Sequence, residues 1–224
     1  MAKKAKSRVR TYSRQRPTLL HETKAKSRGH KTIAGIDEAG VGPLAGPVVA
    51  AAVILKRYDF RSRIDDSKRL TPKNRLCAYS EIIKKSVYGI SVIEKDVIDR
   101  VNIRNATRLA MEEAVANLDV KPDYILIDGT IKLSIPYKGH SIKGGDRCSL
   151  SIACASILAK VTRDRIMQKL HNVYPQYGFA RNKGYGTAAH FSAIKKHGPS
   201  PLHRVSFEPV KSFVANVPEA ELTK

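Results

Sequence analysis

A mixed-sheet α/β domain is the fold class this sequence predicts, on three observations. Apolar runs of strand length lie early in the chain with short connections, at 32–36, 48–55 and 87–93. A later strand-like run then alternates with long stretches of helical period. Hydrophobic residues make up 42% of the 224-residue chain, enough for one sizeable core.

Taken in order, residues 1–30 are basic and lack apolar periodicity, which predicts a disordered tail. Its acid-poor, Arg- and Ser-containing composition also resembles an organellar transit peptide, but a sustained amphipathic face is missing, and a nonspecific nucleic-acid arm is the preferred reading. A strand over 32–36 ends in Asp37 and Glu38 and gives way to a loop rich in glycine and proline, Gly40 to Pro47. The eight apolar residues 48–55 read as a buried strand. Asp66-Ser67-Lys68 falls in a polar loop, after which Thr71 as N-cap and Pro72 at the first helical position start a helix to about Lys85. Residues 87–93 make a strand, and 95–100 and 102–118 are helical, the second presenting Ala106, Leu109, Ala110, Ala114 and Leu118 on one face. Tyr124 to Asp128 is a short strand ending in an acid and a glycine. A long helix over 149–170 follows, small and apolar first and basic later; a turn at 183–187 then leads into a helix through His197, and the Pro-rich stretch 198–201 closes the core. The expected division is a tail over 1–30, one domain over 31–210 and a C-terminal tail over 211–224, without internal repeats.

Charge narrows the partner. Forty-one Lys and Arg against 20 Asp and Glu give +21, which suits a polyanion. Residues 1–31 hold 11 of those cations and a single acid, a local +10, so +11 remains on the rest and the domain is basic in its own right. No basic amphipathic helix with large apolar anchors appears, and no apolar run approaches the roughly 18 residues of a membrane span, so nucleic acid is favoured over a membrane surface. The charged N-terminus lacks secretory architecture, and three cysteines without a CxxC pair read as reduced thiols, which together predict a cytoplasmic protein. Monomer is the default expectation.

Two strands end in carboxylates, Asp37-Glu38 and Asp128, and a third segment, Lys143-Gly144-Gly145-Asp146, sets an acid behind two glycines and ahead of the long helix. Adjacent strands lie about 4.8 Å apart, so acids at neighbouring strand ends can share a hard cation. Four acids from three segments could hold two cations about 3.5–4 Å apart, an arrangement suited to phosphodiester hydrolysis. Side chains alternate along a strand, so Asp37 is expected to bridge the ions and Glu38 to join only if the strand bends. A solvated strand end or a helix cap is the bland alternative for each acid, most seriously for Asp146. Asp164, between Arg163 and Arg165 on a helix, is expected to pair with these neighbours rather than bind metal.

These blocks resemble ribonuclease HII, the type 2 ribonuclease H, over roughly residues 32–207. The resemblance rests on Gly35-Ile36-Asp37-Glu38-Ala39-Gly40 with Gly42-Pro43-Leu44-Ala45-Gly46-Pro47, on Asp66-Ser67-Lys68, Asp128-Gly129 and Gly145-Asp146, on the Ser151-to-Asp164 helix, and on Lys183-Gly184-Tyr185-Gly186-Thr187. It implies a ribonuclease H-like mixed sheet flanked by helices with a C-terminal helical extension, dependence on Mg2+ or Mn2+, and catalytic acids at Asp37, Glu38, Asp128 and Asp146. The implied substrate is an RNA–DNA hybrid, or DNA containing ribonucleotides, cut to leave a 3'-hydroxyl. The 2'-hydroxyl would be read by the backbone of Gly40, Val41 and Gly42 and by Tyr185; Lys68 and Lys183 become phosphate contacts.

One departure stands out. The family's loop is typically Gly-Arg-Gly, and Val41 removes that guanidinium, which predicts weaker substrate binding around an intact metal site. The sister ribonuclease HIII also lacks this arginine, but carries a larger N-terminal domain that residues 1–31 are too few to form. A non-catalytic binding module would bind hybrids without metal-dependent turnover; a basic ribosome-associated protein would leave the clustered acids without a purpose.

Overall fold

The computed structural model of the chain describes residues 16–215. Its centre is a five-stranded sheet built from β1 (Ile33–Ala39), β2 (Val48–Leu55), β3 (Ser86–Ile93), β4 (Tyr124–Asp128) and β5 (Lys138–Ile142), in the order β3-β2-β1-β4-β5. The first three strands are antiparallel neighbours, while β4 and β5 pair parallel to β1 and to each other.

The strands sort their side chains with a period of two. Val48, Ala50, Ala52 and Ile54 face one core together with Ala34, Ile36 and Ile127, and Val49, Ala51 and Val53 face the other. On the first face pack α3 (Lys95–Val101) and α4 (Ile103–Ala116), the latter burying Ala106, Ala110, Met111 and Ala114. The second face is covered by α2 (Pro72–Lys85) and the 24-residue α5 (Leu150–Val173). Helix α5 comes very close to β1 because Gly35 has no side chain: a Cβ there would collide with the backbone of Ser151 and Ile152. The caps match the sequence. Thr71 accepts from the Asn74 N–H before Pro72, and Ser149 accepts from the Ile152 N–H at the start of α5.

A third cluster, formed by Leu44, Ala45, Met167, Tyr177, Phe179 and Ile194, packs the glycine loop against α6 (Phe179–Asn182) and α7 (Ala188–His197). The chain does not finish at the Pro-rich stretch. His203 and Arg204 return fully buried, and α8 (Val210–Ala215) starts with buried Val210 and crosses the boundary expected at 210.

The larger correction lies at the other end. Residues 1–15 of the expected tail fall outside the described residues, but 16–30 are part of the fold. Helix α1 (Leu20–Ser27) buries Glu22 and Ala25, and Thr18 bridges to Ser149. Charged residues dominate α1, so its seat is made by polar contacts rather than an apolar stripe. The expectation of disorder fails there for that reason. No helix among the described residues is long and apolar enough to cross a membrane.

Candidate active site

Parallel pairing places Ile36 beside Ile127, so the next residues, Asp37 and Asp128, stand side by side at the ends of β1 and β4. Both follow residues of the α4-side core, which turns them to the face covered by α5. Asp146 reaches that face from the short 3-10 turn Gly145–Arg147 ahead of α5, and the Gly145 N–H donates to Asp128 Oδ1 at 2.6 Å. Three segments thus deliver three acids to one face. The cap of α5 is Ser149, which frees Asp146 from the capping role.

Glu38 behaves differently from the expected bend. Pairing with β2 continues without interruption through Asp37–Ala51, Glu38–Ala50 and Ala39–Val49, so the strand runs past both acids and the Glu38 Cα–Cβ bond starts toward the opposite face. Its carboxylate nevertheless turns back to hydrogen-bond with Asp37 and to interact with Asp128 and Lys68. The Glu38 N–H donates to Asp37 Oδ1 at 2.7 Å.

The carboxylates feel one another. Burial raises the Asp37 pKa well above its ordinary value, with Glu38, Asp128 and Asp146 adding repulsion and a Ser156 hydrogen bond opposing. Glu38 is pushed up to about 7 by burial and by Asp128. Asp146 also reaches about 7, through burial, Asp66 and Asp128. Lys68 meets this cluster: burial lowers its pKa, but Asp66, Asp37 and Asp146 outweigh that and raise it overall. Asp66, whose side chain accepts from the Lys68 N–H at 2.9 Å, is thus a fifth acid that the sequence reading left unassigned. Ser156 Oγ lies 3.0 Å from Ser67 Oγ beneath Asp37.

An all-oxygen set of carboxylates suits a hard divalent cation, and their raised pKa values show negative charge that the protein itself does not neutralise. The residues fit Mg2+ or Mn2+ in this chemical sense. Among the described residues, however, no three His, Cys, Asp or Glu side chains converge on a single point. The hydrogen bonds that hold Asp37 and Asp128 account for the open arrangement.

The glycine loop is held from below by two buried guanidiniums. Arg163 donates to the carbonyls of Pro47 (2.9 Å), Ala45 (3.1 Å) and Lys183 (2.9 Å). Arg204 donates to those of Gly46 (3.0 and 2.8 Å), Val41 (3.0 Å) and Gly40 (2.7 Å). Gly40 sits at φ +103°, and a Cβ there would strike the Arg163 side chain. With the loop carbonyls drawn inward, the N–H groups of Val41 and Gly42 donate to no acceptor among the described residues. The Val41 side chain is exposed.

The Lys183–Thr187 turn docks on this loop, its Gly184 carbonyl accepting from the Leu44 N–H at 2.8 Å. Tyr185 is 42% exposed and lies against Gly42. A histidine pair steadies the turn. The Ser200 N–H can only donate, and does so to His203 Nδ1 at 2.8 Å. His203 Nε2–H then donates to His190 Nε2 at 3.0 Å, and His190 Nδ1–H to the Tyr185 carbonyl at 2.9 Å. Burial lowers both imidazole pKa values, His203 to about 4 with a further contribution from His190. Lys183, with φ +52°, turns its ammonium back onto the Ala180 carbonyl at 2.7 Å, so a phosphate would have to draw it away. Asp164 pairs with bases, but with Arg75 (3.2 Å) and Lys160 (2.7 Å) rather than the expected Arg163 and Arg165, since Arg163 is taken up by loop carbonyls and Arg165 lies over the Tyr79 ring.

Arg163 and Arg204 were invisible as site residues because arginine in a sequence reads as surface. One signal existed. Ala155, Ala159, Arg163 and Met167 recur every four residues along α5, which puts Arg163 on the buried face.

A five-stranded mixed sheet with carboxylates at the ends of adjacent parallel strands defines a ribonuclease H-like fold. The crystal structure of ribonuclease H2 from Pyrococcus horikoshii superposes with a TM-score of 0.70 at 26% identity, covering 82% of this chain and 97% of that one. Bst-RNase HIII in complex with Mn2+ matches at a TM-score of 0.66 and 20% identity, covering 82% and 69%, a likeness of fold alone. A family model for ribonuclease HII matches residues 34–210. The ribonuclease HII of Geobacter sulfurreducens is 52% identical over 194 residues, 86% of this chain and 89% of the relative. The chain belongs to the ribonuclease HII family and is an endoribonuclease, a phosphodiester hydrolase that cleaves RNA in RNA–DNA hybrids.

Proposed function

We propose that Asp37, Glu38, Asp128 and Asp146 are the catalytic carboxylates and together hold two divalent ions, Mg2+ or Mn2+. The observation that carries this reading is the meeting of Asp37, Asp128 and Asp146 on one sheet face, with pKa values of Asp37 and Asp146 raised by burial and mutual repulsion. Bound there, the ions supply Lewis-acid activation of a water and neutralise charge on the phosphate oxygens. The chain's own residues do the rest. The exposed N–H groups of Val41 and Gly42, with Gly40 setting the turn, receive the 2'-hydroxyl and the adjoining phosphate, and Tyr185 stacks on the neighbouring sugar or base. Lys68 faces both the acids and the incoming backbone and screens their repulsion. Lys183 supplies a further phosphate contact on release from Ala180. The P–O3' bond breaks, leaving a 3'-hydroxyl on one fragment and a 5'-phosphate on the other.

The reading extends to single ribonucleotides embedded in DNA, because the loop and Tyr185 address one sugar rather than a long hybrid. It takes the enzyme as a cytoplasmic monomer. The test is cleavage of duplexes carrying one, four or many ribonucleotides, with Mg2+ or Mn2+, by the wild type and Asp37→Asn. Metal-dependent cutting that ends in a 3'-hydroxyl and falls more than about 100-fold in the variant is expected, a loss beyond that of an outer-shell change. Equal cutting by Asp37→Asn would remove the carboxylate assignment.

A further inference from the structure

Helix α1 makes one buried polar contact for which the reaction has no evident use. Glu22 Oε1 accepts hydrogen bonds from Ser149 Oγ (2.7 Å), the Ser151 N–H (2.9 Å) and Ser151 Oγ (2.7 Å), while its Oε2, also buried, has no partner among the described residues. Ser149 is the N-cap of α5 and Ser151 lies in its first turn. A side chain from far upstream therefore completes the helix start, where free N–H groups and the helix dipole favour an anion. Thr18 reinforces it: its N–H donates to the Cys148 carbonyl at 3.1 Å and its carbonyl accepts from the Leu150 N–H at 2.9 Å. Asp146 sits between this clamp and β4, in a turn closed by the Cys148 and Ser149 N–H groups on the Gly145 carbonyl.

We infer that Glu22 is a positioning residue for Asp146. By fixing where α5 begins, it fixes the acid ahead of the helix relative to Asp37 and Asp128, and so sets the affinity of the site for a divalent ion. This rests on the carboxylate assignment proposed above. Thr18 and Glu22 precede the 34–210 span that the family model matches. Packing of α5 on Gly35 persists whatever residue stands at 22, so losing the carboxylate loosens the turn without releasing the helix.

The experiment is a calorimetric Mn2+ titration of the full chain, with hybrid affinity measured in EDTA, for the wild type, Asp146→Asn, Glu22→Gln and Glu22→Ala. Glu22→Ala is expected to weaken Mn2+ binding about tenfold, at the lower end of outer-shell effects, while hybrid affinity in EDTA stays within about twofold. Glu22→Gln keeps an acceptor oxygen but loses the charge, and its effect is expected to be smaller; it carries the comparison alone if Glu22→Ala does not fold. A lowered Tm with unchanged Mn2+ affinity in the Glu22 variants would make the contact purely structural and overturn the inference by itself. Mn2+ binding that survives Asp146→Asn would overturn the metal-site reading, and this inference with it.

Discussion

On the carboxylate side of the site, Asp37, Glu38 and Asp146 have pKa values raised by burial and by neighbouring acids, and Lys68, Arg147 and the Ser156 hydroxyl offset them only in part. On the loop side, Arg163 and Arg204 are just as deeply buried, yet main-chain carbonyls satisfy every guanidinium nitrogen. Burial pushes the Arg204 pKa down to about 9, with Arg163 adding repulsion, which still leaves a cation at neutral pH. The difference separates two tasks. Where the proposed ions would bind, negative charge is only partly compensated and the fold loses stability for it. Where a substrate is to be read, buried charge is fully used to make the backbone rigid.

The sharpest way to break this comparison is to neutralise one charge on each side. Asp37→Asn removes a repelling carboxylate, so it should raise the Tm of the metal-free protein while abolishing most activity; each kcal/mol gained corresponds to about 2–4 °C in a chain of this size. Arg204→Lys should do the opposite. One ammonium cannot reach the carbonyls of Gly40, Val41 and Gly46 together, and carbonyls left unsatisfied cost about 1–3 kcal/mol each. Its Tm should fall by several degrees and KM for a hybrid should rise more than kcat falls. A destabilising Asp37→Asn, or a silent Arg204→Lys, would erase the distinction.

The comparison also marks what the sequence could reveal. Strand β2 was legible to the residue because it is apolar throughout and buried on both faces. The three acids that share a face were legible through strand ends and glycines, as was Glu38 beside Asp37. The edge strand β5, Lys138–Ile142, carries a single large apolar residue and was missed. Helix α1 was missed because a carboxylate bonded to serines, rather than an apolar stripe, seats it. The loop-side arginines belong to the same class: their burial depends on carbonyls contributed by distant segments, which no local pattern records. Polar burial is the part of this fold that periodicity cannot show.

Acid titration separates the two sides further. The carboxylates Glu38 and Asp146, both near 7 when folded, bind more protons in the native state than in the unfolded chain between about pH 4 and 7. The stability they contribute is present below their unfolded values and lost as the pH rises through 7. His203 works in reverse. Its folded pKa near 4 lies below the unfolded 6.5, so its contribution of about 3 kcal/mol is complete above pH 6.5 and lost on acidification toward pH 4. Metal-free stability should therefore fall between pH 4 and 7 in the wild type, because the two raised carboxylates outweigh the one opposing trend of His203. In His203→Asn it should fall more steeply with rising pH, because the opposing contribution of His203 is gone. Urea melts at half-unit pH steps would show this. A wild-type profile that rises as steeply as His203 alone requires would mean the acids are not repelling one another.

The smallest effect tests the loop from outside rather than below. Val41 is exposed and its carbonyl is already held by Arg204, so Val41→Arg should leave the backbone in place and add one solvated cation beside the free N–H groups. A single exposed ionic contact is worth about 0.2–1 kcal/mol, so KM for a hybrid should fall by roughly 1.4- to fivefold with kcat unchanged. Screening should shrink that gain as salt increases, and the dependence of log KM on log salt should steepen. A lower KM that persists unchanged at high salt would instead mean that the arginine alters the loop's shape. In that case the rigidity assigned to Arg163 and Arg204 would be less complete than their hydrogen bonds suggest.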